Sequence, residues 1–320
     1  MFRFFVLACA LSWLAWAPLT ASALGWTDAT PSPYLHLLGG LGPAAAGLIV
    51  SARGGREGVA RVIRRTIAAP PRWIVLGVAL PVTLYLVAAV VLMVVGYDVD
   101  LSATGRSREY PALGVGSYAL ANIVCYGFGE EIGWRGYALP RLQTHRTATR
   151  ATLYLALGWA IWHLPLFAFS AGMSAMRPAE MLGWAVSILA GAFLMTFVFN
   201  ASAGSVLVVA LFHGTLDILI SSPTGGPLQI TMGALVTVAG LTLPFRFGHR
   251  DLAPRPRVRD GSHPRDARVD PTRPRYCERD ATMTRGPPEY APTAGDAEPS
   301  RSWRALRRSA DRSFRRGRRT

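Results

Sequence analysis

The sequence predicts an all-α protein: a polytopic integral membrane bundle of about eight transmembrane helices with a disordered basic C-terminal tail. The chain of 320 residues is 51% hydrophobic yet carries a formal charge of +15. Long apolar runs fill residues 1–246, whereas residues 247–320 are rich in Arg and Pro. An apolar run of about 20 residues is long enough to cross a bilayer as a helix. A charged segment poor in apolar residues cannot bury a core.

Eight apolar runs account for the predicted helices. They lie at about residues 4–24, 34–52, 73–96, 111–139, 151–170, 180–199, 203–222 and 227–245. The first run is also compatible with a signal peptide, because Arg3 precedes it and small residues follow it. Arginines concentrate in the loops after the second and fourth runs and in the tail. Because cytoplasmic loops are enriched in basic residues, we expect a bacterial, multi-pass cell membrane protein with both termini in the cytoplasm.

The tail, residues 247–320, has two interpretations. It is either a solvated extension near anionic lipid headgroups or an arm that binds nucleic acid or another partner. The first is favoured, and nucleic acid is not an expected partner. Residues 301–320 could form a short amphipathic helix at the membrane surface. The three cysteines lie far apart and support neither a disulfide framework nor a thiolate zinc site.

Three of the apolar runs contain ionisable residues, which are costly inside a bilayer and usually mark a functional interior. These residues are Glu130, Glu131 and Arg135 in the fourth run, His163 in the fifth, and His213 and Asp217 in the seventh. Any one of the three sets could be structural, since buried histidines and ion pairs also hold membrane helices together. Their occurrence on three separate runs predicts one shared polar site.

Helical spacing predicts how these residues pair. Glu131 and Arg135 are four residues apart, so we expect an ion pair that neutralises both charges. Glu130 is rotated by about 100° from Glu131. We therefore expect Glu130 to be free of Arg135 and to meet His163 and His213. His213 and Asp217 are also four residues apart and share a face.

Two imidazoles and two carboxylates could hold a divalent metal or a polarised water. Zinc is the expected metal, with Glu130, His163 and His213 as its ligands, since zinc binds neutral imidazole and carboxylate. A metal-free mechanism that depends on the glutamate remains an alternative. The HExxH and GxSxG motifs of soluble hydrolases do not occur in the sequence.

The three motifs resemble those of the CPBP intramembrane proteases, which include the CAAX prenyl protease 2 group, the bacterial Abi proteins and lysostaphin resistance protein A-like proteins. The family pattern is EExxxR, an aromatic residue four before His, and HxxxN or HxxxD. Here these read Glu130 to Arg135, Trp159 to His163, and His213 to Asp217. The resemblance covers about residues 110–222 and excludes the tail.

The resemblance implies that Glu130 and His163 activate a water molecule and that His213 joins the site. Asp217 stands where prenyl-protease members usually have Asn, a proposed donor to the oxyanion, and an aspartate donates only when protonated. Trp159 stands where Phe is common and preserves an aromatic wall. Glu131, Arg135 and Trp159 are then structural support.

The expected function is therefore that of an intramembrane endopeptidase, a hydrolase that acts in prenyl-type protein processing or in bacteriocin self-immunity. Its partners would be the lipid bilayer and a peptide or membrane-protein substrate; the sequence predicts no oligomeric state. One alternative is a non-catalytic membrane immunity or scaffold protein of the same fold. A second is a small proton-coupled transporter, which would predict internal repeats, but the EExxxR stretch occurs once.

Overall fold

The computed structural model describes residues 1–261, and every regular element in that part of the chain is helical. The α-helices are α1 (Phe2–Ala23), α2 (Tyr34–Gly40), α3 (Gly42–Ala52), α4 (Gly55–Ile67), α5 (Pro71–Val94), α6 (Val115–Asn122), α7 (Gly129–Glu131), α8 (Leu139–His145), α9 (Ala148–Trp162), α10 (Leu166–Phe169), α11 (Pro178–Ala201), α12 (Val206–Ser221) and α13 (Gly226–Phe247). Two π-helical segments, Ile123–Phe128 and Ile132–Ala138, flank α7. The polytopic helical class predicted from the sequence is confirmed.

Within residues 1–261, five helical stretches are long and apolar enough to cross a membrane. They are Phe2–Ala23, Tyr34–Ala52, Pro71–Val94, Pro178–Ala201 and Gly226–Phe247. The seventh predicted run forms the shorter apolar helix α12, which has 16 residues. The fourth run contains the charged motif and the fifth is interrupted, because α9 ends at Trp162 and Pro165 precedes α10. The count of about eight spans stays a prediction.

Neighbouring helices form a closed circuit of contacts. From α1 it passes to α3, then to the continuous helical stretch 115–145, which we call the motif helix, and on to α12 and α5. It returns through α13, α11 and α9 to α1. The circuit brings together the three helices that contain the polar motifs, namely the motif helix, α9 and α12.

Glycines allow the motif helix to approach its neighbours closely. A Cβ atom at Gly127 would lie 2.6 Å from the carbonyl oxygen of Ala210 in α12, and one at Gly133 would collide with the carbonyl of Pro43 in α3. Small residues at helix contacts are typical of membrane bundles, where van der Waals packing replaces the hydrophobic effect. The π-helical segments surround Glu130 and Glu131, and such segments are rare and frequent at functional sites.

The first predicted run is α1, which packs into this bundle along one face. Its buried residues Phe4, Ala8, Ser12 and Trp16 recur every four positions. The Trp16 ring centroid lies 4.7 Å from that of Trp162 in α9. The Ser12 hydroxyl accepts a 2.7 Å hydrogen bond from the Trp162 indole. In this structure α1 therefore forms part of the wall around the motif-bearing helices.

The chain continues to pack on the bundle beyond α13. Leu252 is fully buried, and Gln143 donates a 2.8 Å hydrogen bond to the carbonyl oxygen of Val258. Asn200 bonds in the same way to the carbonyl of Asp251. Backbone carbonyls of residues 248–261 thus satisfy buried amides of the bundle, and the domain boundary at residues 246/247 stays a prediction. The rest of the predicted disordered tail, residues 262–320, lies outside the described residues, as does its predicted amphipathic segment.

Replacing Gly133 with Ala is expected to destabilise the protein by about 1–3 kcal/mol, the usual cost of overpacking a close contact. The added methyl group has to displace the α3 backbone at Pro43. Gly183→Ala is the matched control, because a Cβ at this α11 position meets nothing within 4 Å. Thermal unfolding in lipid nanodiscs measures the difference, and equal melting temperatures for the two variants would contradict the close contact.

Candidate active site

The two adjacent glutamates lie at the centre of the motif helix and are both buried. Glu131 is fully buried and Glu130 is 3% exposed. Glu131 Oε1 accepts a 2.7 Å hydrogen bond from Nη1 of Arg135, whose side chain is fully buried as well. The structure thus contains the ion pair that the i, i+4 spacing predicts. Its opposite charges compensate one another in a medium where an isolated charge would be very costly.

His213 binds Glu131, not Glu130 as expected from the sequence. Its Nδ1 lies 2.8 Å from Glu131 Oε1, the same oxygen that binds Arg135. A carboxylate oxygen accepts, so Nδ1–H of His213 is the donor. Helical rotation separates Glu130 from Glu131, but which of the two faces α12 depends on how the motif helix is turned. The π-helical segments on both sides of α7 change that rotation.

Glu130 binds Trp159 of α9. The indole Nε1–H donates a 2.7 Å hydrogen bond to Glu130 Oε2, and Trp159 is 6% exposed. The expectation that Glu130 lies outside the Glu131–Arg135 ion pair agrees with this arrangement. The expectation that Glu130 meets the two imidazoles directly is not realised, because the hydrogen bond that the structure gives its carboxylate comes from Trp159.

His163 is the first residue after α9 and lies beside the Trp159 ring. Its Nδ1 lies 2.7 Å from the carbonyl oxygen of Trp159. A carbonyl only accepts, so Nδ1 holds the proton and Nε2 of the neutral ring is an acceptor. Ring centroid distances are 5.3 Å to Trp159 and 5.6 Å to Trp184 of α11.

Asp217 lies one turn beyond His213 on α12, and its side chain is 34% exposed. Its Oδ2 lies 3.6 Å from Nε2 of His213. An unprotonated imidazole nitrogen and a carboxylate oxygen are both acceptors, so a favourable approach of these two atoms needs a proton on one of them. Asp217 therefore connects the buried Glu131–His213 pair to the more open edge of the site.

The expected zinc ligands Glu130, His163 and His213 do not form a ligand set. Among residues 1–261, no group of three or more His, Cys, Asp or Glu side chains is arranged to hold a metal ion. The Trp159 ring contacts both imidazoles, with centroid distances of 5.3 Å to His163 and 5.5 Å to His213. The donor groups therefore do not converge in this arrangement, and a bound zinc ion stays a prediction.

Neither the hydrogen bond from Trp159 nor the contact of Trp184 with His163 was predicted from the sequence. A signal was available for Trp159, since a buried indole N–H usually has a partner, and the motif already placed this residue near His163. Trp184 lies in the sixth apolar run, which contains none of the motifs. Its contact with His163 follows from the packing of α11 beside α9.

Two comparisons with known proteins cover this part of the chain. Residues 113–219 match the model of a family described as type II CAAX prenyl endopeptidase Rce1-like. A curated protein of Methanococcus maripaludis, CAAX prenyl protease 2, is 26% identical over 93 residues, which cover 28% of this chain and 34% of that protein. The alignment thus spans about a third of the length of the relative.

The matched segment contains every motif residue described above, from Glu130 to Asp217. It also agrees with the extent of the resemblance predicted from the sequence, about residues 110–222. Residues 113–219 are therefore similar to the Rce1-like family of type II CAAX prenyl endopeptidases.

Proposed function

We propose that this protein is an intramembrane endopeptidase in which Glu130 activates the attacking water. The observation that carries the proposal is that the two buried glutamates have different hydrogen-bond partners. Glu131 is held by Arg135 and His213, whereas Glu130 binds only a neutral donor, the indole of Trp159, among the hydrogen bonds described for residues 1–261. A carboxylate without a cationic hydrogen-bond partner retains the basicity that a general base needs.

In the proposed reaction, Glu130 takes a proton from water while the water oxygen bonds to the scissile carbonyl carbon. Nε2 of His163 accepts the water's second hydrogen in a hydrogen bond and orients it. The carbonyl electron pair moves to the oxygen and forms an oxyanion. Collapse of this intermediate breaks the C–N bond, and Glu130 returns the proton to the leaving amine. The products are a carboxylic acid and an amine, and Glu130 ends as it began.

His213 and Asp217 are proposed to stabilise the oxyanion. Nδ1–H of His213 is occupied by Glu131, so the proton between His213 Nε2 and Asp217 is the one available to the substrate. Either a protonated Asp217 or an imidazolium can donate it. Such preorganised donors are most effective in a buried, water-poor site.

The substrate is proposed to be a prenylated protein ending in a CAAX sequence, by analogy with the curated relative named CAAX prenyl protease 2. A bacteriocin-like peptide is the second substrate class proposed from the sequence resemblance. We also propose that the protein lies in a bacterial cell membrane with the arginine-rich loops in the cytoplasm. A substrate embedded in the bilayer would meet the site at its partly exposed edge, near Asp217.

Glu130→Gln is expected to lower peptide hydrolysis by at least about 10²-fold, because an amide cannot take the proton from water. The measurement is cleavage of a farnesylated CAAX peptide with a fluorophore and a quencher, by purified protein in nanodiscs. Glu180→Gln is the matched control, since Glu180 lies in the first turn of α11 on the exposed surface and pairs with Arg177. Equal rates for wild type and Glu130→Gln would contradict the proposed function.

Glu131→Gln is expected to act on stability more than Glu130→Gln does. It leaves the fully buried Arg135 without its carboxylate, and breaking a buried ion pair on one side costs about 3–5 kcal/mol. Glu130 is hydrogen-bonded to Trp159, so Glu130→Gln leaves the ion pair between Arg135 and Glu131 in place. Thermal unfolding of both variants in the same nanodiscs provides the comparison. A smaller loss of stability for Glu131→Gln than for Glu130→Gln would contradict the structural role given to Glu131.

Asp217→Asn is expected to retain hydrolysis, because the amide N–H₂ can donate to the oxyanion at any pH. Asp217→Leu, which has a similar volume and no polar group, is expected to lose about 10²-fold, the usual cost of removing one oxyanion donor. The same peptide assay measures both. Similar rates for the Asn and Leu variants would exclude Asp217 from the oxyanion site.

A further inference from the structure

Trp159 contacts four polar residues of the site through its indole and its backbone carbonyl. The N–H donates to Glu130 Oε2, and the backbone carbonyl accepts from His163 Nδ1. The ring centroid lies 5.5 Å from that of His213, and the guanidinium carbon of Arg135 lies 5.2 Å above the ring. Trp159 is therefore in contact both with the histidine that binds Glu131 and with the carboxylate proposed to activate water.

The hydrogen bond from Trp159 determines which oxygen of Glu130 is available. At 2.7 Å it is short, and both partners are more than nine-tenths buried, so competing solvent is largely absent. A bond between a neutral donor and a charged acceptor is stronger than one between neutral groups. With Oε2 occupied, Oε1 is left to receive the proton of water. The bond also fixes the rotation of the carboxylate, because a rotated carboxylate would lose it.

Packing alone would not require the nitrogen. A phenylalanine ring, which the sequence resemblance gives as the common residue here, could fill part of the same space beside the imidazoles but has no N–H group. It would leave a buried carboxylate oxygen without its donor, a loss that costs more than the net value of a hydrogen bond. The indole N–H is therefore a feature of this chain with a specific consequence for Glu130.

We propose that Trp159 is the positioning residue of this hydrolase: its indole N–H holds Glu130 Oε2 and directs Oε1 toward the attacking water. The inference rests on the proposed function, because positioning matters only if Glu130 acts as the base. It goes beyond that function by assigning to Trp159 a role that an aromatic wall would not have.

Trp159→Phe in the full-length protein tests this role. A misplaced base affects the chemical step more than binding, so kcat for the farnesylated CAAX peptide is expected to fall about 10-fold or more while KM changes less than about threefold. Trp162→Phe is the matched control. It removes an indole hydrogen bond of the same length, 2.7 Å, which goes to Ser12 instead of a glutamate, and it retains an aromatic ring beside His163.

A spectroscopic measurement tests the hydrogen bond without relying on activity. Glu130→Gln identifies the carboxyl infrared band of Glu130 in a difference spectrum against wild type. That band is expected to shift in Trp159→Phe and to stay in place in Trp162→Phe. Should Trp159→Phe fail to fold, 3-benzothienylalanine at position 159 replaces it, because this isostere retains the indole shape and has sulfur in place of N–H.

The outcomes separate this inference from the function on which it rests. A wild-type protein that does not cleave the peptide, with kcat unmeasurable in all variants, would overturn the proposed function and the positioning role together. A wild-type protein that cleaves, with Trp159→Phe matching Trp162→Phe in kcat and in the infrared band, would overturn the positioning role alone. A selective fall in kcat together with the band shift would support it.

Discussion

The buried ion pair between Glu131 and Arg135 is the constraint on which the rest of the site depends. Both side chains are fully buried and joined at 2.7 Å. A charge at this depth is tolerated only with a partner, and losing one partner leaves the other uncompensated. Glu131 Oε1 also receives Nδ1–H of His213. Glu131 Oε1 thus compensates the charge of Arg135 and also binds His213 of α12. The ion pair therefore helps to fix the position of His213.

Glu131 binds Arg135 of its own helix and His213 of α12, whereas Glu130 is held by α9. Its partner is the indole of Trp159 in α9. Adjacent carboxylates would repel one another strongly if both were ionised without compensation. Distributing them between a cationic environment and a neutral donor gives each a separate role. The close packing at Gly127 and Gly133 makes this possible, because it brings α12 and α3 against the motif helix on either side of the glutamates.

Much of this arrangement follows from the sequence, and the part that does not has a physical reason. Hydropathy predicts a helical membrane bundle, and local spacing predicts the Glu131–Arg135 pair, because i, i+4 neighbours on one helix need no knowledge of the fold. The partner of His213 could not be predicted, since it depends on the rotation of two separate helices and on π-helical segments that spacing does not reveal. The same holds for residues 248–261, whose composition indicates disorder while their backbone carbonyls bind Gln143 and Asn200.

Double-mutant cycles on the free energy of unfolding test the central claim, the division of the two glutamates between different partners. The cycles combine Glu131→Gln with His213→Gln, and Glu130→Gln with His213→Gln, in mixed micelles. Groups in direct contact show coupling of about 0.5–3 kcal/mol. The account predicts coupling in this range for Glu131 with His213 and a clearly smaller value for Glu130 with His213. The reverse order would mean that Glu130 binds His213, as the sequence alone suggests, and would contradict the division described here.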